Sequence, residues 1–333
     1  MKVERMEGDC SSKKKVCVTG AGGYVASWLV KFLLSKGYTV HGTARNPCDE
    51  KKNGHLQNLE YASENLQLFK TDLLEHEGLC AAIDGCKGVF HVASPVPDNI
   101  SPVANPEVEL LEPAVQGTRN VLNACLKYGV RKVVVVSSAG AIMVNPNWPM
   151  DQDMDESCWT DTEYCRSTKN WYCLAKTIAE KEAWLHAKKS GLDIVTICPS
   201  IVIGPMLQST ANASSLRILR YMEGSSVKVD NIEFPLVDVR DLAKGILLLY
   251  ENDEAKGRFI CSSFGLRVTE LVQKLKSWFP DYKYSTSFAE VQQLNSWKLN
   301  SHKLQSLGWV SKPLEETLKD VVKDYEEHCL LAT

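Results

Sequence analysis

Two residues four positions apart offer clear acid–base chemistry in this sequence. Tyr172 and Lys176 lie in the segment 169–189, whose pattern predicts a helix, so both side chains face the same way. A free phenol has a pKa of about 10 and is a poor catalyst at neutral pH, but a neighbouring ammonium lowers that pKa. Ser138 follows a predicted strand and can hydrogen-bond a substrate oxygen on the same side. These three residues predict a catalytic group for proton transfer.

A glycine-rich turn, TGAGGYVA at 19–26, connects the first predicted strand to the first predicted helix. Gly20 allows the tight turn, Gly23 allows close approach to a pyrophosphate, and the small Ala26 lets the helix pack on the strand. Free N–H groups at the helix N-terminus favour the negative charge. The turn therefore predicts a dinucleotide site with contacts from Gly20, Gly22, Gly23, Tyr24 and Val25.

The end of the second predicted strand distinguishes NADP from NAD. NAD enzymes place an Asp or Glu there, and that acid would repel a 2′-phosphate. Here the strand 39–43 leads to Arg45, with Lys51 beyond. An arginine fork binds phosphate through charge-assisted hydrogen bonds. The sequence therefore predicts NADPH, which would deliver hydride to a carbonyl whose oxygen Tyr172 protonates. The nicotinamide cation and Lys176 would both favour the phenolate.

Short apolar segments alternate with helical patterns over the first two hundred residues. The predicted strands are 16–19, 39–43, 66–70, 88–92, 132–137 and 193–197. Continuous apolar runs are typical of strands buried on both faces, and their alternation with helices predicts a Rossmann-type, doubly wound parallel α/β sheet. After the third strand, Asp72 and Leu73 are expected to hold the adenine ring. After the fourth, Val92, Ala93 and Ser94 are expected beneath the other end of the dinucleotide.

The rhythm of strands and helices changes after Pro199. Gly204 and Pro205 interrupt the pattern, and helices and loops rich in Lys, Trp and Ser follow residue 266. We predict a Rossmann domain from 15–202 and 231–250, and a smaller substrate lobe from 203–230 and 251–330. This lobe would close over the carboxyl edge of the sheet, where open α/β sheets bind ligands.

Composition narrows the function classes. A formal net charge of −3 over 333 residues, 44% of them apolar, gives no electrostatic reason to expect nucleic acid or an anionic membrane as partner. No stretch approaches the roughly 18 apolar residues of a membrane span. The polar residues 1–14 predict a flexible tail and a cytoplasmic protein. No C-x-x-C or H-E-x-x-H occurs, so no metal is expected and a zinc-dependent alcohol dehydrogenase is disfavoured. We expect a monomer or a weak dimer.

The chain resembles the extended short-chain dehydrogenases/reductases of plant phenylpropanoid metabolism over about 15–323. The segments that carry the resemblance are VTGAGGYVASWLVK, HVASPV, EPAVQGTRNVL, VVSSAGA, DESCW, KNWYCLAKTIAE, CPSIVIGP, NAS and VDVRDLA. Cinnamoyl-CoA reductases, cinnamyl-alcohol dehydrogenases of this fold and dihydroflavonol reductases share this framework. The resemblance implies that Pro199, Ser200, Ile201 and Val202 meet the nicotinamide carboxamide, and that Ser214 completes the cofactor site.

Two departures bear on the substrate. Cinnamoyl-CoA reductases typically read NWYCYGK, whereas 170–176 reads NWYCLAK. Where they carry a His and a Lys on the helix after NAS, this chain has Arg217 and Arg220, while Arg240 matches their arginine. The NWYCLAK form looks closer to the cinnamyl-alcohol dehydrogenase-like branch, which favours a free aldehyde such as coniferaldehyde. Arginines could still hold a CoA phosphate, so cinnamoyl-CoA reduction remains the alternative.

The expected pocket lies between 138–141, Tyr172 and the smaller lobe. Residues expected to flank a planar ring there are Ala139, Ile142, Val202, Met206 and Leu207. Cys165 and Cys173 lie on either side of Tyr172 and could form a redox-sensitive disulfide, although two reduced thiols are the expectation in a cytosolic protein.

Further functions remain open. They are a dihydroflavonol-type ketone reductase, a non-catalytic dinucleotide-binding regulator and an epimerase. The intact Ser–Tyr–Lys group disfavours a regulator, and Arg45 disfavours an epimerase, which needs an acidic residue for tightly held NAD. We therefore predict NADPH-dependent reduction of a phenylpropenyl aldehyde to the alcohol.

Overall fold

A seven-stranded parallel sheet forms the centre of the protein. The structure, a computed structural model, describes residues 15–96, 104–149, 151–224, 228–289 and 298–331, so the predicted tail 1–14 lies outside the described residues. The strands are β1 Lys15–Val18, β2 Thr39–Ala44, β3 Leu66–Lys70, β4 Gly88–His91, β5 Lys132–Val136, β6 Ile194–Pro199 and β10 Gly257–Cys261. Their order is β10-β6-β5-β4-β1-β2-β3, with every neighbouring pair parallel.

Strand β5 shows why these segments read as continuous apolar runs. All five of its residues are buried, and alternate valines face different cores. Val134 and Val136 join the core beneath helices α1 (Tyr24–Ser35) and α9 (Val239–Glu251), whereas Val133 and Val135 join the core on the opposite face. That second core is covered by helices α4 His76–Ile83, α5 Glu112–Lys127 and α7 Trp171–Ser190. Helices on both faces bury the whole sheet, as the sequence predicts.

The strand order reverses direction between β1 and β4. At such a switch point the loops after adjacent strands diverge and leave a crevice at the carboxyl edge, which is where dinucleotides bind in this architecture. The glycine turn follows β1, and Ser138 lies two residues after β5. Both predicted sites therefore lie at one edge of the sheet.

Smaller sheets and helices lie outside this layer. Strands β7 Ile201–Ile203, β9 Glu233–Asp238 and β11 Phe264–Arg267 form a three-stranded sheet, and β8 Val229–Asp230 pairs with β12 Phe288–Ala289. The other helices are α2 Glu50–Gln57, α3 Ala62–Asn65, α6 Thr162–Ser167, α8 Ala213–Met222, α10 Val268–Trp278, α11 His302–Gln305 and α12 Leu314–Glu327. A π-helical turn, Glu107–Leu111, precedes α5, and a 3₁₀ turn, Ala139–Ala141, follows β5. No helix in the described part is long and apolar enough to cross a membrane.

Two strands depart from the predicted division of the chain. Strand β10 was predicted to lie within the smaller lobe, yet it pairs with β6 as the seventh strand of the large sheet. Strand β9, expected with the Rossmann domain, pairs with β7 and β11 instead. Strand β10 was not recognised from its sequence, GRFIC, because the buried Arg258 interrupts the apolar pattern. The two-lobe division itself remains a prediction, with 257–261 in the large sheet.

Candidate active site

The three predicted catalytic residues meet at the carboxyl edge of the sheet. Ser138 caps the 3₁₀ turn, and its Oγ accepts a hydrogen bond from the Gly140 N–H at 3.0 Å. Helix α7 begins at Trp171, with Asn170 as its cap, which places Tyr172 in the first turn. The Tyr172 hydroxyl donates to Ser138 Oγ at 3.4 Å. This arrangement lets both hydroxyls reach one substrate oxygen.

Lys176 lies one turn further along α7 and is 7% exposed. Its Nζ donates to the Val136 carbonyl oxygen at 3.4 Å. Burial lowers the pKa of Lys176 to about 8, while Cys198 and Glu180 act to raise it. Lys176 therefore remains mostly an ammonium at neutral pH.

The pKa of the Tyr172 phenol is raised in the structure. The sequence analysis expected Lys176 and a bound nicotinamide cation to lower it. Burial raises the pKa of Tyr172, against a smaller lowering by the hydrogen bond to Ser138. Desolvation disfavours the phenolate when the side chain is enclosed by protein. The phenol is therefore neutral at physiological pH, and this is the form that can donate a proton to a reacting oxygen.

Gly140 lies in the segment 138–141 that was predicted to line the pocket, but the sequence analysis gave this glycine no role of its own. A Cβ at this position would lie 3.1 Å from Cys173 Sγ, 3.3 Å from Ser138 Oγ and 3.5 Å from a ring carbon of Tyr172. A side chain here would crowd the meeting point of the catalytic hydroxyls. The glycine in the segment SSAGA was the signal that could have identified it.

The geometry of the glycine turn fits a bound dinucleotide. Gly20 has φ +66°, and a Cβ there would lie 2.9 Å from the Ala93 Cβ, so only glycine fits. Gly23 caps α1, and no side chain in the described part of the chain caps that helix start. First-turn amides have no intrahelical partner, and the helix dipole adds positive potential there. Gly22, Tyr24 and Val25 complete this cradle, which fits a pyrophosphate.

Thr19 holds the turn against the end of β4, and this role was also missed. Its Oγ1 accepts hydrogen bonds from the N–H groups of Val92 and Ala93, both at 3.0 Å, and lies 3.1 Å from His91 Nδ1. The other ring nitrogen of His91 lies 3.2 Å from Thr118 Oγ1. Burial lowers the pKa of His91 to about 3, so the ring is neutral and acts as a structural link. The backbone after β4 is thereby fixed beside the glycine turn, with Ser94 following.

The predicted 2′-phosphate residues follow β2. Arg45 comes directly after the strand and is exposed, as is Lys51 in the first turn of α2. After β3, the Asp72 carboxylate accepts a hydrogen bond from the Leu74 N–H at 3.0 Å, which shapes the loop. Leu73 packs on α5 at Gly117, where a Cβ would lie 2.8 Å from the Leu73 Cβ. These residues share the carboxyl edge with the glycine turn.

The residues predicted for the nicotinamide end surround the junction of β6 and β7. Pro199 ends β6 and Ile201 begins β7. Between them Ser200 is 7% exposed, and its Oγ has no hydrogen-bond partner among the described residues. Ser214 Oγ donates to the Val202 carbonyl oxygen at 2.6 Å, which ties α8 to β7. A buried hydroxyl without a partner is costly, so a polar group of a bound cofactor fits here.

Three predicted substrate residues are buried in the structure. Ile142 is fully buried, and it packs with Met154, Cys158, Cys198 and Ile260. Met206 is 4% exposed and belongs to the main core. Both were expected to flank a ring, but long-range packing encloses them. Ala139 is also buried, whereas Val202 and Leu207 are half-buried.

The three candidate arginines for a CoA phosphate differ in their surroundings. The Arg240 guanidinium pairs with Asp238 and Asp320, each at 2.6 Å, and these hydrogen bonds raise its pKa despite burial. Arg217 donates to the Tyr221 hydroxyl at 3.1 Å and lies over the Phe234 ring. Arg220 is exposed on α8. Of the three, Arg220 has the freest access to a ligand phosphate.

Cys165 and Cys173 are both free thiols in the structure. Burial raises the pKa of Cys165 to about 11 and that of Cys173 to about 12. Both are therefore protonated and poorly reactive at neutral pH. Among the residues that the structure describes, no group of three or more His, Cys, Asp or Glu side chains is placed to hold a metal ion.

A family match decides the class of protein. The sequence pattern of the NAD dependent epimerase/dehydratase family matches residues 16–261, which ends where β10 ends. The chain belongs to this family. Within the family, it is 48% identical over 318 residues to cinnamoyl-CoA reductase 1 of Petunia hybrida, covering 95% of this chain and 93% of the relative. It is 46% identical to cinnamoyl-CoA reductase 2 of Arabidopsis thaliana, covering 94% and 93% respectively.

A solved structure of the same fold agrees with this placement. Yeast methylglyoxal/isovaleraldehyde reductase Gre2, determined in complex with NADPH, has a TM-score of 0.80 at 25% sequence identity. The alignment covers 95% of this chain and 99% of that one. The predicted Rossmann-type fold and the resemblance to the extended short-chain dehydrogenases/reductases are both confirmed.

Proposed function

We propose that the protein is an NADPH-dependent reductase of hydroxycinnamoyl-CoA thioesters, which it converts to the aldehyde and free CoA. The observation that carries the proposal is the similarity to two cinnamoyl-CoA reductases, at 48% and 46% identity over more than nine-tenths of each chain. The prediction from sequence preferred a free aldehyde. The relatives favour the thioester, which the sequence left as the alternative.

The enzyme class and the cofactor agree with the sequence prediction. An NADP-dependent oxidoreductase is confirmed by the family match together with the named reductases, and NADPH by a similar structure that contains it. Arg45 and Lys51 remain the residues proposed to meet the 2′-phosphate, because their exposed cationic groups follow the strand where NAD enzymes carry an acid. The cytoplasmic location and the monomeric or weakly dimeric state stay predictions.

The catalytic roles follow from the geometry of Ser138, Tyr172 and Lys176. NADPH, when bound, supplies the hydride. The Ser138 hydroxyl hydrogen-bonds the substrate carbonyl oxygen and orients it toward Tyr172, whose neutral phenol donates the proton. The buried Lys176 ammonium then stabilises the resulting phenolate and can hold the nicotinamide ribose.

The atoms and electrons of thioester reduction balance with the proton of Tyr172 and the hydride of NADPH. The carbonyl carbon gains a hydride and the oxygen gains the Tyr172 proton, which gives a hemithioacetal. The carbon–sulfur bond then breaks, the aldehyde forms, and the proton leaves the hydroxyl as CoA departs as its thiol. The net reaction consumes one NADPH and one proton for each thioester.

Reduction of a free aldehyde is the second candidate. The segment NWYCLAK departs from the typical thioester-reductase motif, and Arg240 is held by two carboxylates rather than open to a phosphate. An aldehyde needs neither a phosphate site nor a leaving thiol. Both observations favour a smaller substrate without excluding CoA, because Arg220 remains exposed.

A substrate panel separates the candidates. NADPH oxidation is followed with feruloyl-CoA, coniferaldehyde and dihydroquercetin under one set of conditions. We expect kcat/KM for feruloyl-CoA to exceed that for coniferaldehyde at least tenfold, or about 1.4 kcal/mol of transition-state binding. The reverse ratio would establish the aldehyde reductase, and a preference for dihydroquercetin the ketone reductase. A protein that binds NADPH but oxidises it with none of the three would contradict the proposal.

A further inference from the structure

A buried arginine on the seventh strand joins the elements that carry the catalytic group. Arg258 lies on β10 and is 7% exposed. Its Nε donates to Glu180 Oε1 at 2.7 Å and its Nη2 to Glu180 Oε2 at 3.2 Å, so the guanidinium grips both carboxylate oxygens. The Glu180 side chain has no exposed surface. A two-point contact of this kind fixes orientation as well as distance.

Glu180 connects this arginine to the catalytic helix. It lies on α7 four residues after Lys176 and eight after Tyr172, on the same helix face. Its carboxylate also accepts hydrogen bonds from Ser137 Oγ at 2.6 Å and from Thr196 Oγ1 at 2.7 Å. Ser137 directly precedes Ser138, so one carboxylate ties α7 to the strand end that presents the catalytic serine.

The guanidinium of Arg258 also holds the loops after Ser138. Its Nη1 donates to the carbonyl oxygens of Cys158 at 2.6 Å and Glu156 at 3.0 Å, and its Nη2 to that of Ala141 at 3.4 Å. The Trp159 ring lies 3.6 Å from the guanidinium carbon. Arg258 thereby fixes both ends of the excursion 141–158 that follows the catalytic turn.

The same pair bears on the charge state of Lys176. The titratable groups that act on Lys176 are Glu180 on its own helix, Cys198 on β6 and His91 on β4, and Arg258 on β10 pairs with Glu180. Lys176, Glu180 and His91 line one cavity of about 20 Å³. Burial lowers the pKa of Lys176 to about 8, while Cys198 and, after it, the Glu180 carboxylate act to raise it. Without this carboxylate more of the lysine would be neutral at the working pH.

We propose that the Arg258–Glu180 pair is the positioning element of the reaction proposed above, on which this inference rests. The pair holds Tyr172 and Ser138 on a common oxygen, and its Glu180 carboxylate stabilises the Lys176 ammonium as a counter-charge. Neither residue contacts the substrate oxygen in this role. Replacing a buried ion pair by neutral groups is often tolerated, whereas removing one partner leaves an uncompensated charge. Stability alone therefore does not require the pair.

The variant Glu180→Gln tests the inference, with Glu182→Gln as its matched control. Glu182 lies on the same helix and pairs with the half-exposed Arg119 at 2.9 Å, away from the catalytic group. For Glu180→Gln we expect kcat with feruloyl-CoA to fall about ten- to hundredfold through misplacement of the catalytic hydroxyls. The alkaline limb of the kcat–pH profile should also move about half a unit or more to lower pH. Glu182→Gln should retain the wild-type kcat and profile.

A second variant covers the case in which the single change does not fold. Glu180→Gln combined with Arg258→Gln leaves no unpaired buried charge, and thermal unfolding establishes that it folds. The double variant should show the same fall in kcat, whereas its alkaline limb should move less than that of Glu180→Gln, because the positive charge of Arg258 is removed together with the carboxylate. Wild-type kcat together with an unmoved alkaline limb, in either folded variant, would overturn the inference.

A readout without substrate keeps this test separate from the proposed function. Competitive acetylation of Lys176 across a pH series, measured by mass spectrometry, gives the pKa of the lysine directly. We expect this pKa to fall in Glu180→Gln and to stay unchanged in Glu182→Gln. If no substrate of the panel were reduced, the proposed function would fail, yet the Lys176 titration would still decide for or against the counter-charge role. An unchanged Lys176 pKa in Glu180→Gln would contradict it.

Discussion

The hydroxyl of Tyr172 lies 3.4 Å from that of Ser138, although 34 residues separate them in sequence. Ser138 is presented by the end of β5, and Tyr172 by the first turn of α7. The two groups converge because β5 ends at the carboxyl edge of the sheet and α7 packs across it. A carbonyl oxygen placed between them would accept a hydrogen bond from one and a proton from the other.

Arg45→Ala should change the cofactor preference. Loss of the exposed guanidinium should weaken NADPH binding about tenfold, or ~1.4 kcal/mol, and leave NADH binding nearly unchanged, since NADH has no 2′-phosphate. Titration of both cofactors measures this effect. Arg131→Ala is the control, because Arg131 is also exposed but precedes β5 at the opposite edge of the sheet. Equal weakening of both cofactors would remove Arg45 as the discriminator.

Gly140→Ala should impair turnover more than folding. The added methyl group would meet Cys173 Sγ at 3.1 Å and Ser138 Oγ at 3.3 Å, so one of them must shift by a few tenths of an ångström. A small displacement of a catalytic hydroxyl lowers kcat disproportionately, and we expect a fall of about tenfold or more. Gly265→Ala is the control, because nothing lies within 4 Å of a Cβ there. Unchanged kcat in Gly140→Ala would show that the turn accommodates the methyl group without displacing the catalytic hydroxyls.

Lys176 should make the unfolding free energy depend on alkaline pH. Its pKa lies near 8 in the folded protein and at 10.5 in the reference state. Between these values the unfolded chain binds more protons than the native protein, so the contribution of Lys176 to stability rises with pH. The slope is at most about 1.4 kcal/mol per pH unit for one proton. Denaturant titrations of wild type and Lys176→Met at pH 7.5 and 9.5 should therefore diverge in favour of the wild type at the higher pH. A difference that stays constant with pH would contradict the burial of the ammonium.

Cys165 and Cys173 should remain reduced. Because burial raises both thiol pKa values to 11 or above, the thiolate needed for disulfide exchange is scarce at neutral pH. We expect alkylation after unfolding without reductant to label both residues fully, as measured by mass spectrometry. The exposed Cys48 serves as the internal standard for complete labelling. A bridged peptide containing Cys165 and Cys173 would show that the pair is a redox switch.

The parts of the site that are local in sequence could be predicted, and the parts made by long-range packing could not. The glycine turn and the helix carrying Tyr172 and Lys176 can each be recognised from about a dozen consecutive residues. Strand β10 was not predicted because it contains the charged Arg258. The burial of Arg258 depends on its pairing with Glu180, 78 residues earlier. The enclosure of Ile142 has the same origin, since Ile260 of β10 and Met154 cover it. Local periodicity carries no information on such partners.

Tyr172→Phe tests the central claim most directly. Removing the phenolic oxygen deletes the proton donor while keeping the ring, so kcat for feruloyl-CoA should fall about 10²–10⁴-fold. NADPH binding, measured by fluorescence titration, should stay within a few-fold of wild type. Tyr38→Phe is the matched control, because it removes a hydroxyl that donates to Glu251 at 2.9 Å far from the carboxyl edge, and it should turn over normally. A kcat for Tyr172→Phe within tenfold of wild type would contradict the catalytic assignment.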